Sequence, residues 1–198
     1  VLENAYDVCD TSAKYGITEN GASQSAEFFA RDLVVTEDEN LGLEKTTERV
    51  AEAAGVFLTS KKEAVYKKNI FEKLYPASTT KILTAYVALK NGNLDDVVTV
   101  SANAANQASD SSVCELKEGD KITLRDLLYG LMLRSGNDAA VAIAEHISGS
   151  SEEFVVLMNA EAKALGATGS HFVTPNGLHD EEHYSTCLLY TSDAADEL

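Results

Sequence analysis

Basic residues are scarce in this chain of 198 residues. Lys and Arg number 16 against 32 Asp and Glu, a formal net charge of −16. A nucleic-acid binder needs a basic face that displaces counterions from phosphates, so that class is set aside. Cysteine is scarcer still, present as Cys9, Cys114 and Cys187. Their odd number and wide spacing make neither a disulfide framework nor a zinc site. No uninterrupted apolar run is long enough to cross a bilayer as a helix. The chain starts at Val1, and Val1–Asn20 lacks the charged-then-apolar pattern of a signal peptide. No internal repeat is found. What remains is ordinary for a folded chain: 44% apolar and 24% charged residues, in a length that suits about one domain.

The two ends read differently from the middle. Thr36–Glu48 is rich in acids and poor in large apolar groups, so residues 1–50 are expected to be a poorly ordered leader or linker with one helix near Gln24–Val34. The acidic run itself suits a solvated face. From Cys187 the chain reads CLLYTSDAADEL. That string resembles a library-preparation transposon adapter translated in one frame; the alternative is a native helix with an acidic end. The adapter reading makes 187–198 a non-native tail, with the authentic sequence cut near Thr186.

Between them, Ala53–Ser60 and Ala64–Ile70 read as the two strands of a hairpin, turning at Lys61–Glu63. A helix is expected from about Ala77 to Lys90, stopped by Asn91-Gly92. Ile82, Leu83, Ala85, Tyr86, Val87, Ala88 and Leu89 leave it almost no polar face, which predicts a helix wrapped on every side. Val97–Val100 is a short extended piece and Lys117–Asp120 a turn. Thr123–Arg134 is helical, with Thr123 as N-cap and Asp126 in the capping-box position. A second apolar helix starts at Asn137 or Asp138 and runs to about Ile147. A third, capped by Ser150 or Ser151, runs to about Leu165 and ends at Gly166. His171–Leu178 is irregular, with Pro175-Asn176-Gly177 as a turn.

Ser78-Thr79-Thr80-Lys81 opens the first helix. Residues three apart share a helix face, so the hydroxyl and the amine can meet. A serine is a weak nucleophile until a base takes its proton. A lysine can be that base only with a pKa well below its free value, and an apolar setting pushes it that way. The plain structural alternative makes Ser78 an N-cap and Lys81 a solvated first-turn residue. Pro76 suits the first helical position and would place Ser78 inside the first turn, which weighs against that alternative. Ser135-Gly136-Asn137 joins two apolar helices. Alone it is explained by helix ending and starting. Read functionally, Ser135 is a proton shuttle beside Lys81, and Asn137 an amide that holds a substrate carbonyl or the lysine.

The two motifs in this order are the layout of penicillin-recognising serine acyl-transferases. EKLYPASTTKILTAYVAL (Glu72–Leu89), LRSGNDAAVAIAEHISGS (Leu133–Ser150) and HFVTPNGLHDEEHYST (His171–Thr186) closely resemble the low-molecular-weight penicillin-binding proteins, the serine-type D-alanyl-D-alanine carboxypeptidases. The resemblance runs from about Ala51 to Thr186. It implies an α/β domain of the β-lactamase/transpeptidase type, an antiparallel sheet packed with helices plus an all-helical subdomain. It implies Ser78, Lys81 and Ser135 as catalytic residues, Asn137 as substrate-binding, and no metal or organic cofactor. The implied partners are the peptidoglycan stem peptide and, as covalent inhibitors, β-lactams. The implied place of work is outside the cytoplasmic membrane, in the periplasm or cell wall. Any membrane attachment is expected in a segment beyond the lost C-terminus.

One departure matters. The family carries a Lys-Thr-Gly strand that gives the second oxyanion N–H, and no such tripeptide occurs in these 198 residues. Loss of one oxyanion donor costs about 3–4 kcal/mol, so the chain by itself is expected to be inactive, poorly folded and incomplete at its C-terminus. A β-lactamase with the same Ser–Lys pair and a non-catalytic cell-wall peptide binder are the alternatives.

Weaker candidates complete the reading. His179 and His183, four apart with acids between, hint at zinc but do not make His-Glu-x-x-His and sit in an expected loop. His146, on an apolar helix, is expected to be a packed or an edge histidine, and Cys9 and Cys114 to be inert.

Overall fold

The structure is a computed structural model, and it describes residues 51–58, 63–165, 167 and 169–187. The expected helix at Gln24–Val34, most of the hairpin turn, Gly166 and residues 188–198 lie outside these.

Strands β1 (Ala54–Leu58) and β2 (Glu63–Lys68) form the antiparallel hairpin, paired from Ala54 with Lys68 to Leu58 with Glu63 and irregular between Val56 and Phe57. β2 starts one residue earlier and ends two residues earlier than the sequence suggested. Helix α1 is Thr80–Asn91, entered through a single 3-10 turn, Ala77–Thr79. Pro76 caps that turn from outside it, one position earlier than expected. Strand β3 (Val97–Thr99) precedes a short helix α2 (Ala102–Ala105). Strand β3 pairs with β4 (Lys121–Thr123), which at three residues is too short for a pattern to announce. Helices α3 (Leu124–Leu133), α4 (Asn137–Ser148) and α5 (Ser151–Ala164) follow. The class is therefore α/β, as expected, with helices predominating among the described residues.

The core is built around α4. Its residues Asn137 to Ala144 are all buried, and it packs against α1, α2, α3 and α5. Four alanines in that run let neighbouring helices approach closely. Those neighbours supply bulk at helical spacing: Leu124, Leu127 and Leu131 from α3, Phe154 and Met158 from α5. Each such side chain, fully buried, contributes about 1.5–3 kcal/mol. The expected caps are present. Thr123 Oγ1 accepts the Asp126 N–H at 3.1 Å and donates to its carboxylate at 2.7 Å. Ser150 Oγ accepts the Glu153 N–H at 3.1 Å. Gly149 closes α4 in the left-handed conformation at φ 85°.

Helix α1 differs from its expectation. Thr80, Lys81, Leu83, Thr84, Val87 and Ala88 are buried, whereas Ile82, Ala85 and Tyr86 are only partly covered and Leu89 is exposed. One face is packed, and it carries the polar residues. The reason lies in the segment 171–186, which exchanges backbone hydrogen bonds between His171 and Tyr184 and between Leu74 and Ser185, closing over the start of α1.

Candidate active site

The local chain direction changes sharply before α1. Ala77 adopts φ 49°, a left-handed conformation that alanine rarely takes. The 3-10 turn that it opens presents Ser78 at the surface, and the helix after it turns Lys81 inward, leaving the lysine 2% exposed. Lys81 Nζ lies 3.1 Å from Ser78 Oγ and donates to the Asn176 carbonyl at 2.8 Å. No carboxylate among the described residues pairs with it. Burial alone lowers its pKa from 10.5 to about 8, because the ammonium loses water without gaining an anion.

The lid over this pair is held from α1. Thr84 Oγ1 donates to the Pro175 carbonyl at 2.6 Å, and Thr80 Oγ1 lies 2.9 Å from His183 Nε2. Gly177 rests so close to the 3-10 turn that a Cβ there would stand 1.9 Å from the Ala77 carbonyl oxygen. At φ 83° it also has a backbone that side chains disfavour.

Above Ser78 opens a cavity of about 290 Å³, lined among others by Tyr75, Ser111, Ser112, Asn137, Asn176 and His179. Ser78 and Asn137, both read from the sequence, thus meet in one pocket, with Lys81 beneath. Asn137 is 5% exposed, and no hydrogen bond to the described residues holds its carboxamide. Ser135 lies in the turn before α4, left-handed at φ 55°, and is not part of this lining. Ser111 and Ser112 carried no signal in the sequence; the Asn137 N–H donates to the Ser112 carbonyl at 2.8 Å and brings that loop to the pocket.

Asp138 was also missed. It is fully buried and accepts backbone N–H groups from Cys114 at 2.9 Å, Leu116 at 3.0 Å and Ala139 at 2.8 Å. It thereby fastens the 107–116 loop to the Ser-Gly-Asn turn. The two histidines with a zinc-like spacing part company: His179 is at the pocket rim, edge-on to Tyr75 at 4.5 Å, while His183 is buried with both ring nitrogens engaged. His146 is exposed and bonds Asp96 at 3.2 Å. Burial, and then the Asp138 charge, raise the pKa of Cys114, which disfavours its thiolate.

Residues 40–191 match the profile of the Peptidase_S11 family, described as D-alanyl-D-alanine carboxypeptidase. The chain belongs to that family. The matched stretch is wider at both ends than the 51–186 read from the sequence. Among S11 relatives, D-alanyl-D-alanine carboxypeptidase DacF of Bacillus subtilis is 42% identical over 149 residues, 72% of this chain and 38% of that protein. DacC of Escherichia coli is 46% identical over 127 residues, 60% of this chain and 32% of that protein. The chain thus spans about a third of the length of these S11 proteins. Among solved structures, DacD from Francisella tularensis superposes with a TM-score of 0.69 at 32% identity, covering 89% of this chain and 40% of that one. A point mutant of the Streptomyces K15 DD-transpeptidase gives 0.71 at 33% identity, covering 77% and 62%. The fold is therefore of the β-lactamase/transpeptidase type.

Proposed function

We propose that the protein to which this chain belongs is a serine-type D-Ala-D-Ala carboxypeptidase that removes the terminal D-alanine of peptidoglycan pentapeptides. The observation that carries the proposal is the buried amine of Lys81, without a counter-ion among the described residues, 3.1 Å from Ser78 Oγ. With a pKa of about 8, about a tenth of it is neutral at pH 7.

Neutral Lys81 takes the Ser78 hydroxyl proton as Oγ bonds to the D-Ala-D-Ala carbonyl carbon. Positioned base catalysis of this kind gives about 10²–10⁴-fold. The tetrahedral adduct breaks its C–N bond, and the departing amine receives the proton through Ser135. Ser135 is not bonded to either group among the described residues, so its part rests on the family resemblance. Water then hydrolyses the ester on Ser78. Asn137 is assigned to the substrate and not to the lysine, because Asn137 lines the cavity while Lys81 donates to Asn176. The reading takes the domain as 51–186, the span of the sequence resemblance, and work outside the cytoplasmic membrane follows from where the substrate lies. Among the described residues no helix is long and apolar enough to cross a membrane.

A fluorescent penicillin added to the full-length gene product tests the reading. Persistent labelling that disappears in Ser78→Ala supports it. Fast turnover of the label points to a β-lactamase, and absence of label to a non-catalytic binder; either outcome overturns it.

A further inference from the structure

His183 is 1% exposed, and none of the chemistry above uses it. Its ring is held at both nitrogens. Nδ1 receives the backbone N–H groups of Val173 at 3.2 Å and Thr174 at 3.3 Å, and Nε2 lies 2.9 Å from Thr80 Oγ1. Two N–H donors aimed at Nδ1 require a lone pair there. The proton therefore sits on Nε2 and is donated to the Thr80 hydroxyl. A doubly protonated ring would set a third N–H against those two donors. Burial disfavours the cation as well; of the titratable groups around the ring, Asp180 favours protonation and His171 opposes it. The group it meets on α1 is the uncharged Thr80 hydroxyl, and the Phe172 ring lies edge-on at 5.5 Å.

The amides held by Nδ1 begin the loop that carries Pro175 and Asn176. The carbonyls of those two residues accept from Thr84 and Lys81. A neutral amine has two N–H bonds and one lone pair. With one N–H committed to the Asn176 oxygen, the lone pair has a restricted set of directions, and Ser78 Oγ lies within reach. Were the loop to lift, the amine would turn freely and water would stabilise its charged form.

We propose that His183 is a positioning residue for acyl transfer: as a neutral Nε2–H imidazole it bridges Thr80 to the Val173–Thr174 backbone, seats the Asn176 carbonyl against Lys81, and so aims the lysine lone pair at Ser78. This rests on the assignment of Ser78 and Lys81 above.

The test is the rate of acylation by a fluorescent penicillin as a function of pH, in the full-length gene product and its variants. His183→Leu has a similar volume and no acceptor for the amides. It is expected to lose about 10–100-fold at neutral pH and to gain rate only at higher pH than the parent, because the lysine regains its charge. His183→Asn, whose Oδ1 falls near the place of Nδ1, is expected to return the pH limb toward the parent position. A merely structural role would lower the melting temperature and leave the limb in place, and that result overturns the proposal. Should the leucine variant not fold, ¹⁵N spectra of labelled histidine in the parent decide. One ring with a bare Nδ1 and a protonated Nε2, unchanged across the pH range of the assay, supports the proposal; an Nδ1–H tautomer or a titrating cation overturns it. A parent that labels while the limb stays fixed removes only the role of His183. A parent that never labels removes the Ser78–Lys81 assignment first.

Discussion

Lys81 and Asn176 stand 95 residues apart in sequence, and the lysine amine donates to the asparagine carbonyl at 2.8 Å. A neutral backbone oxygen solvates the amine without supplying charge. Burial therefore lowers the lysine pKa with no anion to raise it again. Carboxylates at that position would hold the ammonium and remove the base.

Stability should follow the same lysine. Its pKa is about 8 when folded, against 10.5 as the ordinary value. Below pH 8 both folded and unfolded chains carry the charge, and the folded one bears the full desolvation penalty. As pH rises from 8 toward 10.5 the folded lysine is neutral while the unfolded one still binds a proton, so the penalty is relieved. Lys81→Met has no such dependence. Urea unfolding of both across this range should show the parent gaining on the variant by up to about 3 kcal/mol. A constant difference between them would mean that Lys81 keeps its ordinary pKa.

Gly177→Ala meets two obstacles, the Ala77 carbonyl oxygen 1.9 Å from the new Cβ and a φ of 83°. The backbone term alone costs about 1–3 kcal/mol. The variant should melt several degrees lower and acylate more slowly, since the loop that bears Asn176 must lift. Calorimetry together with penicillin labelling checks both effects.

Asp138→Ala leaves the backbone N–H groups of Cys114 and Leu116 without their acceptor. Each buried amide left unsatisfied costs about 1–3 kcal/mol. Denaturant titration should show a loss near the upper end of ordinary point mutations. Hydrogen exchange should speed up at Cys114 and Leu116 before it does in α5.

The 198-residue chain by itself should release no D-alanine from a pentapeptide, for it contains no Lys-Thr-Gly to supply the second oxyanion donor. A coupled assay for free D-alanine on the purified chain measures this directly, and a useful rate would refute it.

What the sequence determined by itself was local. Thr123 and Ser150 cap their helices because a side-chain oxygen reaches an amide three residues on, and Ser78 meets Lys81 because one helical turn separates them. Asn137, from a distant turn, was legible through the resemblance of its segment to a family and not through any spacing. The tertiary structure alone decided what the polar residues of α1 touch. Thr80 and Thr84 carried no reading in the sequence, yet together with Lys81 they belong to the buried face of α1. Their partners lie 91 to 103 residues downstream. His183, which looked like a loop histidine, is a core residue for the same reason, and Asp138 gathers amides from a loop more than twenty residues earlier. Hydrogen bonds of that range leave no periodicity in the chain, because their geometry exists only once the segments between them have folded.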